Sequence, residues 1–245
     1  MRKKTAPAAR ISHAPDVTPS RPLRSYDLAA AWYDRGAHLY SGGAIAASKA
    51  AQLDAIAAGD RVLYLGVGTG AEAAAACERG AVVTAVDTSA KMLDRLRERP
   101  HGAGAELILG DALAHRRPNF YDAVAANYFL NLFPPDAMRA ALRHAVALTK
   151  PGGRLLIADL APPRGGVLNR AVNGLYSKAA MSAFRALRLC AWHPNYDYAA
   201  ECRALGLTIE REAFWRPFGL GPELFTTVVA RKAGRYDDRT LADEL

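Results

Sequence analysis

The stretch Arg61-Val-Leu-Tyr-Leu-Gly66-Val-Gly-Thr-Gly70-Ala-Glu-Ala-Ala-Ala-Ala-Cys-Glu-Arg79-Gly80 decides the fold. A short apolar run stops at a turn with three glycines in five positions, and an Ala-rich segment follows until Gly80, a residue suited to end a helix. Strand, tight turn, helix is the first half of a parallel crossover unit. The same alternation repeats outward: a strand over 81–86, a helix capped by Ser89 and running to about Arg97, and strands over 106–109, 121–126 and 154–159. Met138, Leu142, Ala145 and Val146 mark the inner stripe of the helix between the last two, which ends before Lys150-Pro-Gly-Gly153. Strands alternating with helices of this size imply right-handed crossovers and a parallel sheet covered on both faces. Residues 207–215 and 223–231 break the rule. They are two strand candidates with no helix between them, hence an antiparallel hairpin at one edge. Ahead of the first strand, residues 26–38 and 42–58 are Ala-rich and predict two helices, the second ending at Gly59.

At 245 residues, 51% hydrophobic and 23% charged, the composition fits one large α/β domain and excludes collagen-like, coiled-coil and wholly disordered chains. The most apolar long segment, 168–192, carries Arg170, Lys178, Arg185 and Arg188, so the sequence predicts no transmembrane helix, and no apolar signal core follows Arg2, Lys3 and Lys4. Three cysteines, Cys77, Cys190 and Cys202, suit neither a disulfide framework nor a zinc site. The expectation is a reducing cytoplasm and no metal. Of the formal +8 charge, much sits in residues 1–24, where six cations face Asp16 alone. With four prolines and few large apolar side chains, that segment reads as a disordered basic tail, either a plain solvated leader or a weak electrostatic tether to anionic lipid or RNA. The remaining domain is expected over 25–232, with a polar C-terminal tail at 233–245.

The chemistry begins at Gly66, Gly68 and Gly70. Glycines between strand and helix let the backbone pass close to a ligand and leave helix N-terminal amides to meet an anionic group. Through Gly66, Gly68 and Ala71 the turn even satisfies a loose dinucleotide pattern, so a nicotinamide cofactor stands as one alternative, weakened by the missing last glycine. Asp87 lies 21 residues beyond Gly66 at the end of the second strand, where a carboxylate would accept both hydroxyls of a ribose. Gly110-Asp111-Ala112 places a further carboxylate after the third strand, within reach of an adenine amino group.

Val62-Leu-Tyr-Leu-Gly-Val-Gly-Thr-Gly70, Val86-Asp-Thr-Ser89 with Met92, Gly110-Asp-Ala112, Phe120-Tyr-Asp-Ala-Val124 and Lys150-Pro-Gly-Gly153 together resemble the successive motifs of class I S-adenosylmethionine-dependent methyltransferases. Tyr26-Asp27 and Tyr33-Asp34 are similar to the paired steps ahead of the first strand in small-molecule, quinone-type members. The resemblance implies a Rossmann-like three-layer sandwich with a mostly parallel seven-stranded sheet and an antiparallel edge hairpin. It implies S-adenosyl-L-methionine as cofactor: Gly66, Gly68 and Gly70 along the methionine and ribose, Asp87 on the ribose hydroxyls, Met92 against the adenine and Asp111 at its amino group. Thr69, Thr88, Ala112 and Asn127 complete the expected cofactor-binding set, and Tyr33 could close over the methionine end. One position departs. Where the family carries an acid two residues before the first glycine, helping to hold the cofactor's amino group, this chain has Tyr64.

The acceptor is expected to be small and apolar or lipid-like, held by the cap (26–58) and a lid insertion (161–200). On an ideal helix Arg170, Lys178, Arg185 and Arg188 share one arc, with Leu168, Val172, Leu175 and Ala179 opposite. That pattern suits a lid whose apolar side, including Tyr176, lines the pocket, or a face lying against an anionic membrane. Asn127-Tyr128-Phe129, Asn131, His193 and Tyr40 are candidate polar contacts. No catalytic residue is named, because methyl transfer chiefly demands positioning. A nucleic-acid methyltransferase is disfavoured by the nearly neutral body, and a noncatalytic cofactor-binding protein is the remaining alternative, raised by Tyr64.

Overall fold

The computed structural model describes residues 11–13, 33–167, 169–176 and 194–234. Its central sheet contains β1 (Ile11–His13), β2 (Arg61–Leu65), β3 (Val82–Asp87), β4 (Glu106–Leu109), β5 (Tyr121–Asn127), β6 (Thr149–Leu160), β7 (Thr208–Trp215) and β8 (Phe225–Arg231), in the order β1-β4-β3-β2-β5-β6-β8-β7. All neighbours pair parallel except β8, which runs antiparallel to both β6 and β7. The seven expected strands are therefore present, with the last slotted inside the edge.

Alternate residues of each central strand are buried on opposite faces, which explains why these strands read as continuous apolar runs. Leu63, Leu65, Val124, Leu155 and Ile157 pack beneath helix α5 (Pro135–Leu148) and α7 (Tyr198–Ala204), meeting Met138, Leu142, Ala145 and Cys202. Val62, Tyr64, Val83, Ala85 and Ala123 face α3 (Ala71–Glu78) and α4 (Ala90–Glu98), meeting Ala73, Ala76, Leu93 and Leu96. Three layers result.

Local chemistry sets the boundaries. Ser89 Oγ accepts the Met92 N–H at 3.3 Å and starts α4, while Gly80 at φ 87° ends α3 and lets the Ala81 N–H return to the Ala76 carbonyl. The Lys150–Gly153 turn, expected ahead of its strand, is a bulge inside β6. Pairing moves from Tyr121–Thr149 to Ala123–Arg154, so the extra residues bow out without ending the ladder.

The cap differs from expectation. Gly42 and Gly43, both at positive φ, separate α1 (Tyr33–Ser41) from α2 (Ala44–Ala50), and the chain then drops into a short 3-10 turn, Leu53–Ala55, instead of continuing to residue 58. Side chains from elsewhere cap the freed carbonyls: Arg211 Nη1 reaches Ala51 O at 2.6 Å and Arg79 Nη1 reaches Leu53 O at 2.7 Å. Residues 26–32, including Tyr26-Asp27, lie outside the described residues.

Ile11–His13 corrects the expectation of a disordered arm over those three positions. They add to the open edge of β4, whose unpaired backbone groups accept a strand of almost any composition. The rest of 1–24 lies outside the described residues, as do 235–245.

After β6, a helix over 169–176 (α6) lies on α1 and on the β7–β8 connection. The Asn173 side-chain amide donates to Glu223 O at 3.0 Å, the Tyr176 hydroxyl donates to Tyr40 O, and the two tyrosine rings stand 4.4 Å apart. The helix is rotated from the face anticipated above, with Tyr176 inward and Arg170 exposed as expected, but with Asn173 also inward and Val172 and Leu175 turned out to solvent. Leu168, Lys178, Ala179, Arg185, Arg188 and His193 lie outside the described residues.

Candidate active site

Four strands, β2 to β5, deliver their C-terminal ends to one edge, where the chain order reverses between β2 and β5; open α/β sheets bind ligands at such a point. Gly66, Gly68 and Gly70 follow β2 with φ of 66°, 56° and 71°, conformations that L side chains rarely adopt. A Cβ at Gly66 would sit 2.7 Å from the Phe129 ring, and one at Gly70 would sit 2.6 Å from Leu96. At Gly68 it would meet nothing within 4 Å. Two glycines are thus required by packing, while the middle one presents bare backbone to open space.

Asp87, closing β3, fixes this loop. Its Oδ2 accepts the Gly68 N–H at 3.0 Å and its Oδ1 accepts the Ser89 N–H at 2.9 Å, so one carboxylate ties the glycine turn to the start of α4. Arg99 braces the far side, donating Nε to Thr69 O at 2.6 Å. Thr69 itself is buried and Thr88 is exposed. Met92, on α4, is only 2% exposed. Asp111, after β4, is exposed; its Oδ1 accepts the Leu113 N–H at 2.8 Å and so caps a short turn at Ala112, which is buried. Of Tyr33 only the backbone, at the start of α1, is described.

Asn127 ends β5. Its Oδ1 accepts the Ala158 N–H at 3.0 Å, which fixes the amide and leaves its Nδ2 a buried donor with no partner. A buried unpaired donor is costly unless something meets it. The next residue, Tyr128, has φ 50°, strained for a non-glycine, and its hydroxyl pairs with Ser48 Oγ at 2.9 Å. Ser48 O in turn accepts Thr227 Oγ1 at 2.7 Å, and Thr227 Oγ1 accepts Trp215 Nε1 at 2.8 Å. This chain of bonds seats α2 on the ends of β5, β7 and β8. Beside it, the rings of Tyr40, Tyr128 and Tyr176 each lie about Phe225 at 6.3, 6.3 and 6.4 Å. An aromatic cluster is therefore packed around Phe225, and it includes Tyr128, the residue that follows Asn127.

Several features escaped the sequence reading. Tyr64 is 5% exposed and its hydroxyl donates to Glu72 O at 3.2 Å, so the residue in the family's acidic position is part of the core. Glu72 pairs with Lys49 at 2.8 Å, both largely buried, joining α2 to the first turn of α3. Asp159, near the end of β6, is fully buried and accepts the N–H groups of Leu160 at 2.8 Å and Asn131 at 3.3 Å. Burial pushes its carboxyl up to about 7, against hydrogen bonds from Leu160, Tyr198 and Asn131 that favour the charged form. A signal existed for Asp159: like Asp87, it is an acid near the end of an apolar strand.

The loop, the two strand-end carboxylates and the unpaired amide suit a nucleoside with a zwitterionic tail. A methyltransferase-domain family model matches residues 62–153. The demethylmenaquinone methyltransferase of Beutenbergia cavernae is 31% identical over 217 residues, covering 83% of this chain and 86% of that protein. That of Clavibacter sepedonicus is 33% identical over 166 residues, or 66% of each chain. Among solved structures, the 1,6-didemethyltoxoflavin-N1-methyltransferase of Burkholderia thailandensis, bound to its substrate and S-adenosylhomocysteine, superposes with a TM-score of 0.60 over 90% of this chain and 94% of that one; at 20% identity this shows the fold. The chain belongs to the class I S-adenosylmethionine-dependent methyltransferases. Within that class it is similar to the demethylmenaquinone methyltransferases, although it spans only about two-thirds of the Clavibacter protein's length. Its cofactor is S-adenosylmethionine.

Proposed function

We propose that the chain transfers the methyl group of S-adenosylmethionine to a small, apolar, quinone-type acceptor. The observation that carries this is the aromatic cluster of Tyr40, Tyr128, Tyr176 and Phe225 at the end of β5 and β8, together with the unpaired amide of Asn127, the residue before Tyr128. Flat rings favour a flat apolar partner, and a single polar donor orients it. Similarity to proteins named for demethylmenaquinone supports the same class.

In this reading Gly66, Gly68, Thr69 and Gly70 pass along the methionine and ribose, Asp87 and Thr88 take the ribose hydroxyls, and Met92, Asp111 and Ala112 receive the adenine. Tyr33 closes over the methionine end, and Asn127 donates to cofactor or acceptor. Bound there, the sulfonium supplies an activated methyl group. The protein aligns the acceptor with it and excludes water, an arrangement that can contribute on the order of 7 kcal/mol. Residues 161–200 serve as the acceptor's lid, 26–58 as its cap, and the chain works in the cytoplasm without a nucleic-acid substrate.

Calorimetric titration with S-adenosylhomocysteine and with nicotinamide dinucleotide tests the cofactor half; binding of the second alone would sink it. Methyl transfer from labelled cofactor to a demethylated naphthoquinol, compared with transfer to RNA or protein, tests the acceptor half. Transfer confined to RNA or protein would replace the quinone-type reading.

A further inference from the structure

Position 64 leaves the methionine end of the cofactor without its usual acid. Tyr64 is buried in the core, and its phenol, pushed up by burial and by the nearby Glu72 carboxylate, is a neutral donor. The cofactor's amino-acid end carries an ammonium and a carboxylate, and charges taken out of water need opposite charges beside them. The carboxylates already placed stand elsewhere. Asp87 holds the Gly68 and Ser89 amides at the end of β3 and Asp111 caps the turn after β4, both on the far side of β2 from β5.

A substitute lies next to Tyr64. The Tyr64 hydroxyl donates to Glu72 O at 3.2 Å, which brings Glu72, in the first turn of α3, beside the position of the missing acid. The Glu72 carboxylate pairs with Lys49 Nζ at 2.8 Å, and the two side chains are 11% and 14% exposed. Lys49 belongs to α2 and follows Ser48, whose hydroxyl pairs with that of Tyr128 after β5. The pair thus joins the helix that follows the glycine turn to the helix seated on the end of β5. Gln52, whose N–H donates to Lys49 O at 3.2 Å, adds a donor on the Lys49 side: it is 2% exposed, and its Nε2 has no hydrogen-bond partner among the described residues. A largely buried ion pair gains little stability on its own, because desolvation offsets the attraction, and a buried donor without an acceptor is a cost. A zwitterion laid across the pair answers both, its ammonium on Glu72 and its carboxylate on Lys49 and the Gln52 amide. We infer that Glu72 and Lys49, with Gln52, clamp the amino-acid end of S-adenosylmethionine in place of the acid absent at position 64. The inference rests on the proposed course of the cofactor along the glycine turn, and it makes α2, part of the cap, a component of the cofactor site.

The test is calorimetric titration of the full chain with S-adenosylhomocysteine and with 5′-methylthioadenosine, which keeps the adenosine and the thioether but lacks the amino-acid end. The wild-type chain should bind S-adenosylhomocysteine about tenfold or more tightly than the shorter ligand. Lys49→Met combined with Glu72→Gln removes both charges without leaving either buried alone. That variant should lose about tenfold or more in affinity for S-adenosylhomocysteine while its affinity for methylthioadenosine stays within about twofold, which also shows it folded. A purely structural pair would move both ligands together or neither, and either result would overturn the inference. Glu72→Asp, which keeps the charge but draws it back by one methylene, serves if the double variant does not fold: it should weaken S-adenosylhomocysteine alone, and wild-type affinity for both ligands would overturn the inference equally. Equal binding of the two ligands by the wild-type chain would sink the clamp and leave the cofactor site standing. Binding of neither would sink the cofactor reading and the clamp with it.

Discussion

The two halves of the sheet edge are built in different ways. On the side of β2, β3 and β4, the site is backbone and carboxylate: three left-handed glycines, the Gly68 N–H on Asp87, and the cap at Asp111. On the side of β5, β6 and β8 it is an assembly of side chains from distant segments, in which Tyr40, Tyr128, Tyr176 and Phe225 meet across 185 residues of sequence. The first half needs particular residues at fixed local spacing, and in the proposed reading it is the half that meets the cofactor. The second needs only aromatic rings of the right reach, so under the same proposal it can change with the acceptor while the fold stays constant.

The largest expected effect comes from forcing the family's acid back into the first half. Tyr64→Asp removes a buried ring and places a carboxylate among Val62, Ala73 and Ala76, and truncating a buried aromatic alone costs about 3–5 kcal/mol. Thermal and urea unfolding should show a loss of that size, whereas Tyr64→Phe should cost only about 1 kcal/mol for the bond to Glu72 O. A stable Tyr64→Asp protein with tighter cofactor binding would show that the acid's usual place is still open.

Asp159 supplies the counterpart in the second half. Its folded carboxyl binds a proton more tightly than the unfolded one, so its contribution to stability is fully present below about pH 3.8 and declines as pH rises through about 7. The loss is on the order of 4 kcal/mol. Asp159→Asn should remove this slope, so that the difference in unfolding free energy between variant and wild type shifts in the variant's favour between about pH 4 and pH 7 and levels off above that. A pH-independent difference would show that Asp159 is charged throughout and held by Tyr198, Leu160 and Asn131.

Much of the first half was legible in the sequence because its physics is local. A strand ending in glycines has few conformations to choose from, and the Asp87 and Asp111 spacings follow from it. Tyr64 was not legible as core: the alternation of β2 assigns its face, but only the Ala-rich side of α3 makes room for a phenol there. Nor was the orientation of α6. An ideal-helix projection placed Leu175 inward on apolar character alone. Two contacts, from Asn173 to a carbonyl 50 residues away and from Tyr176 to one 136 residues away, rotated the helix so that Leu175 faces out. The break after α2 has the same origin, since the groups that cap it, Arg79 and Arg211, come from later in the chain.

Asp87→Ala measures how much the local half depends on one side chain. It removes any bond to the ribose and also frees the Gly68 N–H and Ser89 N–H that the carboxylate now holds. Affinity for S-adenosylhomocysteine should fall by about 30-fold or more, equivalent to ~2–4 kcal/mol. Asp87→Asn is the informative companion. It keeps an acceptor for one amide but offers an N–H to the other, so it should fall between the two proteins; equality with wild type would mean that the charge contributes nothing.

The smallest effect separates the inner face of α6 from its outer face. Tyr176 stacks on Tyr40 and edges Phe225, so Tyr176→Ala removes one ring from the proposed acceptor-binding cluster and should raise the KM for a water-soluble quinol by about tenfold, the contribution of one aromatic partner at roughly 1–1.5 kcal/mol. Leu175, one position earlier, points into solvent, and Leu175→Asp should leave that KM within about twofold, because exposed substitutions seldom exceed ~0.5 kcal/mol. The contrast depends on helix rotation alone. If Leu175→Asp proved the more damaging of the two with an acceptor free in solution, the leucine would line the pocket, and the two halves of the site would differ less than their construction implies.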